Sequence, residues 1–344
     1  MKNCKNRNVL LFGSWGLLLV LLFLANLFWG SVDVPAASVI DILLGGDGGN
    51  EGWRLILLET RLPQAVTALL AGMALAVSGL VLQTLFNNPL AGPEVLGINS
   101  GAGLGVAVVM LLLQGVFVAG EAVVGGYVAM LVGAFLGALL IIMLVLALSG
   151  MLSGTLYLLI AGLAISYLAS AAISILNYFS TADGVHSYLI WGMGSFGGVS
   201  LAQLPLFALP LLALLVWALL MVKPLNALLL GDNYARNLGV NTRLVRGILL
   251  FIVGMLTAVV TAFCGPIAFL GLAVPHLARM AAGSANHRVL LPLTILLGGS
   301  VALACNLVCQ LPGERGLLPL GAVTAVIGAP VIIYVVLKDR AMLR

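Results

Sequence analysis

Apolar residues run along this chain in blocks of about twenty, separated by short polar or Pro/Gly-broken segments. A helix of about 20 apolar residues spans the hydrocarbon core of a bilayer. The blocks predict ten helices, at about 9–29, 62–86, 93–113, 122–148, 155–178, 203–222, 244–264, 267–282, 288–308 and 317–338. An even number places both termini on one side. The first block follows Lys2, Lys5 and Arg7, as a signal sequence would. It is longer than a signal core and has no small-residue cleavage site, so it reads as a retained helix.

Basic residues set the orientation. With both termini inside, the inner loops hold Lys2, Lys5, Arg7, Lys223, Arg236, Arg243, Arg246, Arg279, Arg288, Lys338, Arg340 and Arg344. The outer loops hold only Arg54, Arg61 and Arg315. The termini are therefore expected in the cytoplasm. Two outer loops (30–60 and 179–202) and one inner loop (223–246) are long enough to carry structure. Within the second, Trp191-Gly-Met-Gly-Ser-Phe196 could form a short interfacial helix.

Composition agrees. The 344 residues are 62% hydrophobic and 8% charged, against about 25% charge in soluble domains. The net charge of +4 is small and sits at one face, which argues against nucleic-acid binding. His186, His276 and His287 are scattered. Cys305 and Cys309 lie one turn apart in an apolar helix and read as packing residues, so no metal site or cofactor is expected.

Small residues at four-residue spacing, Gly72/Ala76, Gly101/Gly105 and Gly133/Gly137, predict close helix packing. Arg61-Leu62, Gly72-Met73 and Ala76-Val77 are echoed at the same offsets by Arg243-Leu244, Gly254-Met255 and Ala258-Val259. The two copies enter from opposite sides, as in an inverted repeat. Ser166, Ser170, Ser174 and Asn177 share one face of the fifth helix. That stripe is either helix glue or the lining of a wet path. No carboxylate accompanies it, which counts against a proton- or sodium-driven carrier.

In the inner loop, Asp232 is expected to cap a short helix over 233–238 that Gly239 ends. Tyr234, Ala235 and Leu238 would form an exposed knob for a partner's groove. No Gly-x-x-x-x-Gly-Lys-Ser/Thr occurs, so the chain has no P-loop with which to hydrolyse ATP. Gly-x-Ser-x-Gly, His-Glu-x-x-His and paired intramembrane aspartates are also absent, and no enzyme activity is expected.

Arg61-Leu-Pro, Leu70-Ala-Gly72, Asn88-Pro-Leu-Ala91, Leu96-Gly97, Gly265-Pro266-Ile, Val274-Pro-His276, His287-Arg288, Leu318-Pro319-Leu-Gly321 and Gly328-Ala-Pro330 occur in order along nearly the whole chain. Together they resemble the permease subunits of ABC importers for iron-siderophores, haem and cobalamin. The resemblance implies an all-α polytopic membrane protein of ten spans, the type II importer permease fold, as one domain over 1–344. It implies a bacterial inner-membrane homodimer in contact with lipid. Two ATP-binding subunits would sit on the cytoplasmic face, and a periplasmic or lipid-anchored substrate-binding protein would dock outside.

The resemblance assigns ATPase coupling to the inner loop, here Gly231, Asp232, Tyr234, Ala235, Leu238 and Gly239. It assigns the inner gate to Ser153, Gly154 and Thr155, and the translocation path to the dimer interface. Arg61 and Arg315 are candidate docking cations for the binding protein, with Arg61 alternatively an interfacial anchor. Gln64 stands where the family often has a second arginine. A ferric chelate is the first-choice cargo, with haem and cobalamin behind it. A secondary transporter is the alternative from another class.

Overall fold

In the computed structural model the described residues are 2–113, 116–119, 122–151, 155–311 and 316–342. Fourteen helices and one short hairpin are found among them. Helices stand near all ten predicted positions: α1 (Lys2–Phe28), α3 (Glu51–Leu85), α4 (Ile98–Leu112), α5 (Gly126–Met151), α6 (Thr155–Phe179), α8 (Leu204–Leu220), α11 (Thr242–Cys264), α12 (Leu270–Ala282), α13 (His287–Cys309) and α14 (Leu320–Met342). Among the described residues six of them, α1, α3, α5, α6, α11 and α13, are long and apolar enough to cross a membrane, and α8 with the bent helix after it makes a seventh. Between them lie α2 (Ala36–Leu43), α7 (Ala182–Gly192), α9 (Val222–Leu228) and α10 (Asp232–Asn237). β1 (Val116–Ala119) pairs antiparallel with β2 (Ala122–Gly125), where the pattern had predicted the start of a helix. The chain is an all-α polytopic membrane protein.

The centre of the bundle is α3, packed by α13, α11, α12 and α8. Glycines permit the approach. A Cβ on Gly72 would lie 2.2 Å from Gly298 O, and one on Gly79 only 1.6 Å from Gly271 O. Gly105 meets Gly133, and Gly101 meets Gly137, where α4 crosses α5. The small-residue spacings in the sequence are therefore contact points between backbones. Lipid tails are as apolar as the side chains, so close packing rather than water exclusion holds such helices together.

Several boundaries depart from the pattern. α3 begins at Glu51, about ten residues before the predicted start. Its Ile56–Arg61 segment is wound as a π-helix. Pro63 explains this: proline lacks an N–H and crowds the carbonyl four residues back, and a π turn relieves both. The 179–202 loop contains α7, capped by the Thr181 hydroxyl accepting the Gly184 N–H at 3.3 Å. The Trp191–Phe196 segment is thus the end of a helix rather than a helix of its own. Gly194, in the left-handed region, turns the chain so that the Ser195 N–H reaches Cys264 O at 2.8 Å.

α12 has only 13 residues. It follows a break at Gly265-Pro266, and Phe269 at its start has φ +69°. Arg7 Nη2 donates to Ala282 O at 2.8 Å, joining the start of the chain to the end of α12. The Gly321 N–H donates to Met193 O at 2.9 Å, placing the start of α14 beside the end of α7. The face at which Arg7 meets the end of α12 is called here the terminal face.

Candidate functional site: a helix-lined path and a partner knob

The polar stripe lies on α6, the fifth span. Ser170 and Ser174 are exposed, and Ser166 and Asn177 half-buried. Ser166 Oγ donates to Gly162 O and Ser174 Oγ to Ser170 O, each at 2.9 Å. These bonds stay inside α6, and among the described residues no serine of the stripe bonds to a neighbouring helix through its side chain. Asn177 Oδ1 is buried with no hydrogen-bond partner among the described residues. The stripe is flanked by exposed aromatic and aliphatic residues, among them Leu163, Tyr167 and Tyr178.

The turn after α3 seats the lower part of α6. A Cβ on Gly162 would lie 2.5 Å from Val95 O. Gly97, at φ +78°, stands where a Cβ would be 3.0 Å from Ser166 Oγ. Glu94 sits in the same turn. Burial raises its carboxyl above the ordinary carboxylate range, while hydrogen bonds from its own N–H and that of Phe269 pull the other way. The helix expected over 93–113 included Glu94, whereas Pro93–Leu96 is a single 3-10 turn and the α-helix begins at Ile98. Beside it, His276 Nε2 lies 2.9 Å from Pro89 O, and Arg279 donates to Gln83 Oε1. These contacts pin the turn to α3 and α12.

The gate turn falls at the edge of what is described. Ser153 and Gly154 lie outside the described residues, and Thr155 begins α6.

The inner loop folds as α9 and α10, joined by a short link. Gly231 (φ +96°) precedes α10, and Gly239 (φ +80°) ends it as expected. Two expectations fail. Asp232 is not the cap; Gly231 holds that position, and Asp232 accepts from Arg246 Nη2 at 2.8 Å. Ala235 is not exposed but fully buried. On a helix of six residues only one face can point outward, and Ala235 is the small residue that lets α10 lie flat. The exposed apolar groups are Tyr234, Leu238 and Leu230. Arg236 Nε donates to Thr242 Oγ1 at 3.1 Å, a second tie between α10 and α11.

Arg61 also departs from expectation. Its residue is 4% exposed. Its guanidinium donates to Leu27 O at 2.8 Å, Phe28 O at 3.0 Å and Val32 O. It closes the carbonyl end of α1, which has no further turn to bond to. Gly30 makes room, since a Cβ there would lie 2.6 Å from Arg61 Nε. Neither a docking cation nor a snorkelling anchor is buried in this way. Arg315 lies outside the described residues. Gln64 Nε2 donates to Asn306 Oδ1 at 3.0 Å, and Asn306 Nδ2 to Asn26 Oδ1 at 2.7 Å. The departure from the family pattern at Gln64 thus joins α1, α3 and α13.

The FecCD transport family model matches residues 18–338. Similar proteins include the vitamin B12 import system permease protein BtuC of Klebsiella pneumoniae subsp. pneumoniae, 39% identical over 83% of this chain and 84% of that protein. The protein of the same name from Escherichia coli O6:H1 is 38% identical over 86% and 88%. A solved structure described as an inward-facing conformation of a metal-chelate type ABC transporter covers 96% of this chain and 99% of its own. It has a TM-score of 0.82 and 31% identity. The chain belongs to the FecCD transport family, the permease subunits of ABC importers.

Proposed function

We propose that this protein is the permease through which vitamin B12, or a closely related corrinoid, enters the bacterial cytoplasm. The observation that carries the cargo is the 39% identity, over most of both chains, to a permease named for vitamin B12 import. It displaces the ferric chelate expected from the sequence. The metal-chelate transporter of similar fold keeps that chelate as the second reading.

In this reading two copies pair, with their α6 faces toward a shared path lined by Ser166, Ser170, Ser174 and Asn177. The terminal face is cytoplasmic, in line with the distribution of basic residues. Two ATP-binding subunits meet α10 there, with Tyr234 and Leu238 entering their grooves. Gly231 and Gly239 set the ends of α10, Asp232 fixes it to α11, and Ala235 supports it from beneath. Ser153, Gly154 and Thr155 form the inner gate. The binding protein docks at the opposite face, where Arg315 supplies an outer cation and Arg61 does not.

The test is uptake into proteoliposomes holding the permease, its ATPase and its binding protein, with labelled vitamin B12, ferric siderophore and haem in parallel. Vitamin B12 is expected to accumulate, and only with ATP. Preference for the ferric chelate would overturn the cargo. Uptake that persists without the ATPase would restore the secondary-transporter reading. Tyr234→Arg is expected to abolish uptake, because a bulky charge cannot enter an apolar groove without desolvation. Normal uptake by that variant would refute the docking role of α10.

A further inference from the structure

A buried polar cluster joins three helices away from the α6 stripe. It lies where the end of α3, the start of α13 and the helix α9 meet at the terminal face. His287 is fully buried there. Its Nε2 lies 2.9 Å from Thr84 Oγ1, on α3. Its Nδ1 lies 3.0 Å from Asn226 Oδ1, on α9, and its backbone N–H donates to the same oxygen at 2.9 Å.

The direction of each bond follows from the helix cap. Asn286 Oδ1 accepts the Arg288 N–H at 3.0 Å, so it is the oxygen. It can therefore only receive a proton from Asn226, whose Nδ2 lies 3.0 Å away. That fixes the Asn226 amide, and its oxygen must face His287. The Nδ1 atom then carries the imidazole proton, and Nε2 accepts from the Thr84 hydroxyl. The same hydroxyl lies 2.9 Å from Leu80 O, and its one proton serves one acceptor at a time.

The result is a continuous link. α10 is held to α11 through Asp232–Arg246 and Arg236–Thr242. α9, three residues upstream, is held to α3 and α13 through His287. α3 leads directly into the turn whose Val95 and Gly97 seat Gly162 and Ser166 of α6. α9 also packs directly on α3 and α13 through buried Leu225 and Leu228.

We infer that His287, clasped between Asn226 and Thr84, is the joint that transmits movement of the α9–α10 segment to α3 and so to the α6 face. It is a positioning residue and touches no cargo. The inference rests on the reading of α10 as the ATPase contact.

Two near-isosteric replacements separate the ends of the joint. In His287→Asn the amide can replace Nδ1 but not Nε2, so the Thr84 contact is lost. In His287→Gln the amide reaches the Nε2 position, and the Asn226 contact is lost. Asn226→Leu breaks the same end from the other side, at a half-buried position. The full complex is reconstituted with labelled vitamin B12, and three quantities are read: ATPase co-purification, melting temperature, and ATP hydrolysed per molecule imported. Each variant is expected to keep its ATPase and to raise ATP per cargo by about fivefold, the scale of one buried hydrogen bond.

A lower melting temperature with an unchanged ATP-to-cargo ratio would make the cluster a fold contact and overturn the inference. If the histidine variants do not assemble, Asn226→Leu decides alone by the same two outcomes. Tyr234→Arg separates the inference from its premise. Full uptake in Tyr234→Arg removes the ATPase contact and the joint with it. Loss of uptake there, with unchanged coupling in the His287 and Asn226 variants, removes the joint alone.

Discussion

Helices α3 and α6 are similarly apolar, yet α3 is enclosed on nearly every side and α6 lies largely open. The same contrast holds more widely. α5 is the most apolar of the six long spans and is mostly unburied, whereas α13 is the least apolar and mostly buried. In water this order would be reversed. In lipid, hydropathy marks which segments cross the membrane but not which of them form the core. Glycine contacts and polar pairs do that, because close backbones and satisfied polar groups are what neighbouring helices offer that lipid does not. α3 carries Ala65, Ala68, Ala71, Gly72, Ala74, Ala76 and Gly79 as buried positions. α6 instead shows Ile160, Leu163, Tyr167, Leu168 and Tyr178 outward around its serines.

The largest expected effect falls on the core side of this comparison. Gly79→Leu forces a side chain into the α12 backbone, and overpacking of this kind costs about 3 kcal/mol or prevents folding. Gly16→Leu on α1, where no atom lies within 4 Å of a Cβ, is expected to change stability by less than about 0.5 kcal/mol. Thermal unfolding in detergent compares the two. Equal losses would mean that the glycine contacts do not define the core.

Arg61→Met comes next. It leaves the carbonyls of residues 27, 28 and 32 without their donor, at a cost of about 2 kcal/mol. Affinity for the binding protein is expected to stay at the wild-type level. A stable variant with weakened docking would return Arg61 to the outer surface. Asn306→Leu, which cuts the Gln64–Asn306–Asn26 chain, is expected to cost about 1 kcal/mol. No measurable loss would show that the Gln64–Asn306–Asn26 chain does not hold α1.

The long spans were legible because each must be a continuous apolar run. The close packing was legible because glycine and alanine recurred at four-residue spacing. The start of α3 was not: Arg54, Glu59, Thr60 and Arg61 read as a loop, and a π turn leaves no periodic signature. Arg61 was misplaced because its partners are backbone carbonyls, which carry no side-chain identity to read. Ala235 was misplaced because a six-residue helix is too short for its pattern to tell the buried face from the exposed one. His287 was passed over because the histidines formed no ligand set. The signal that could have marked it is Asn286, a capping residue just before an apolar run, next to a histidine that the cap then orients.

If the exposed α6 face serves transport while α3 serves the fold, Ser170→Leu separates the two roles. ATP-driven uptake of labelled vitamin B12 and the melting temperature of the purified complex are measured on one preparation. Slower uptake at an unchanged melting temperature is expected, because Ser170 is exposed and its side chain bonds to no neighbouring helix among the described residues. A lowered melting temperature with unchanged uptake per folded complex would contradict it and make the serine face a packing surface.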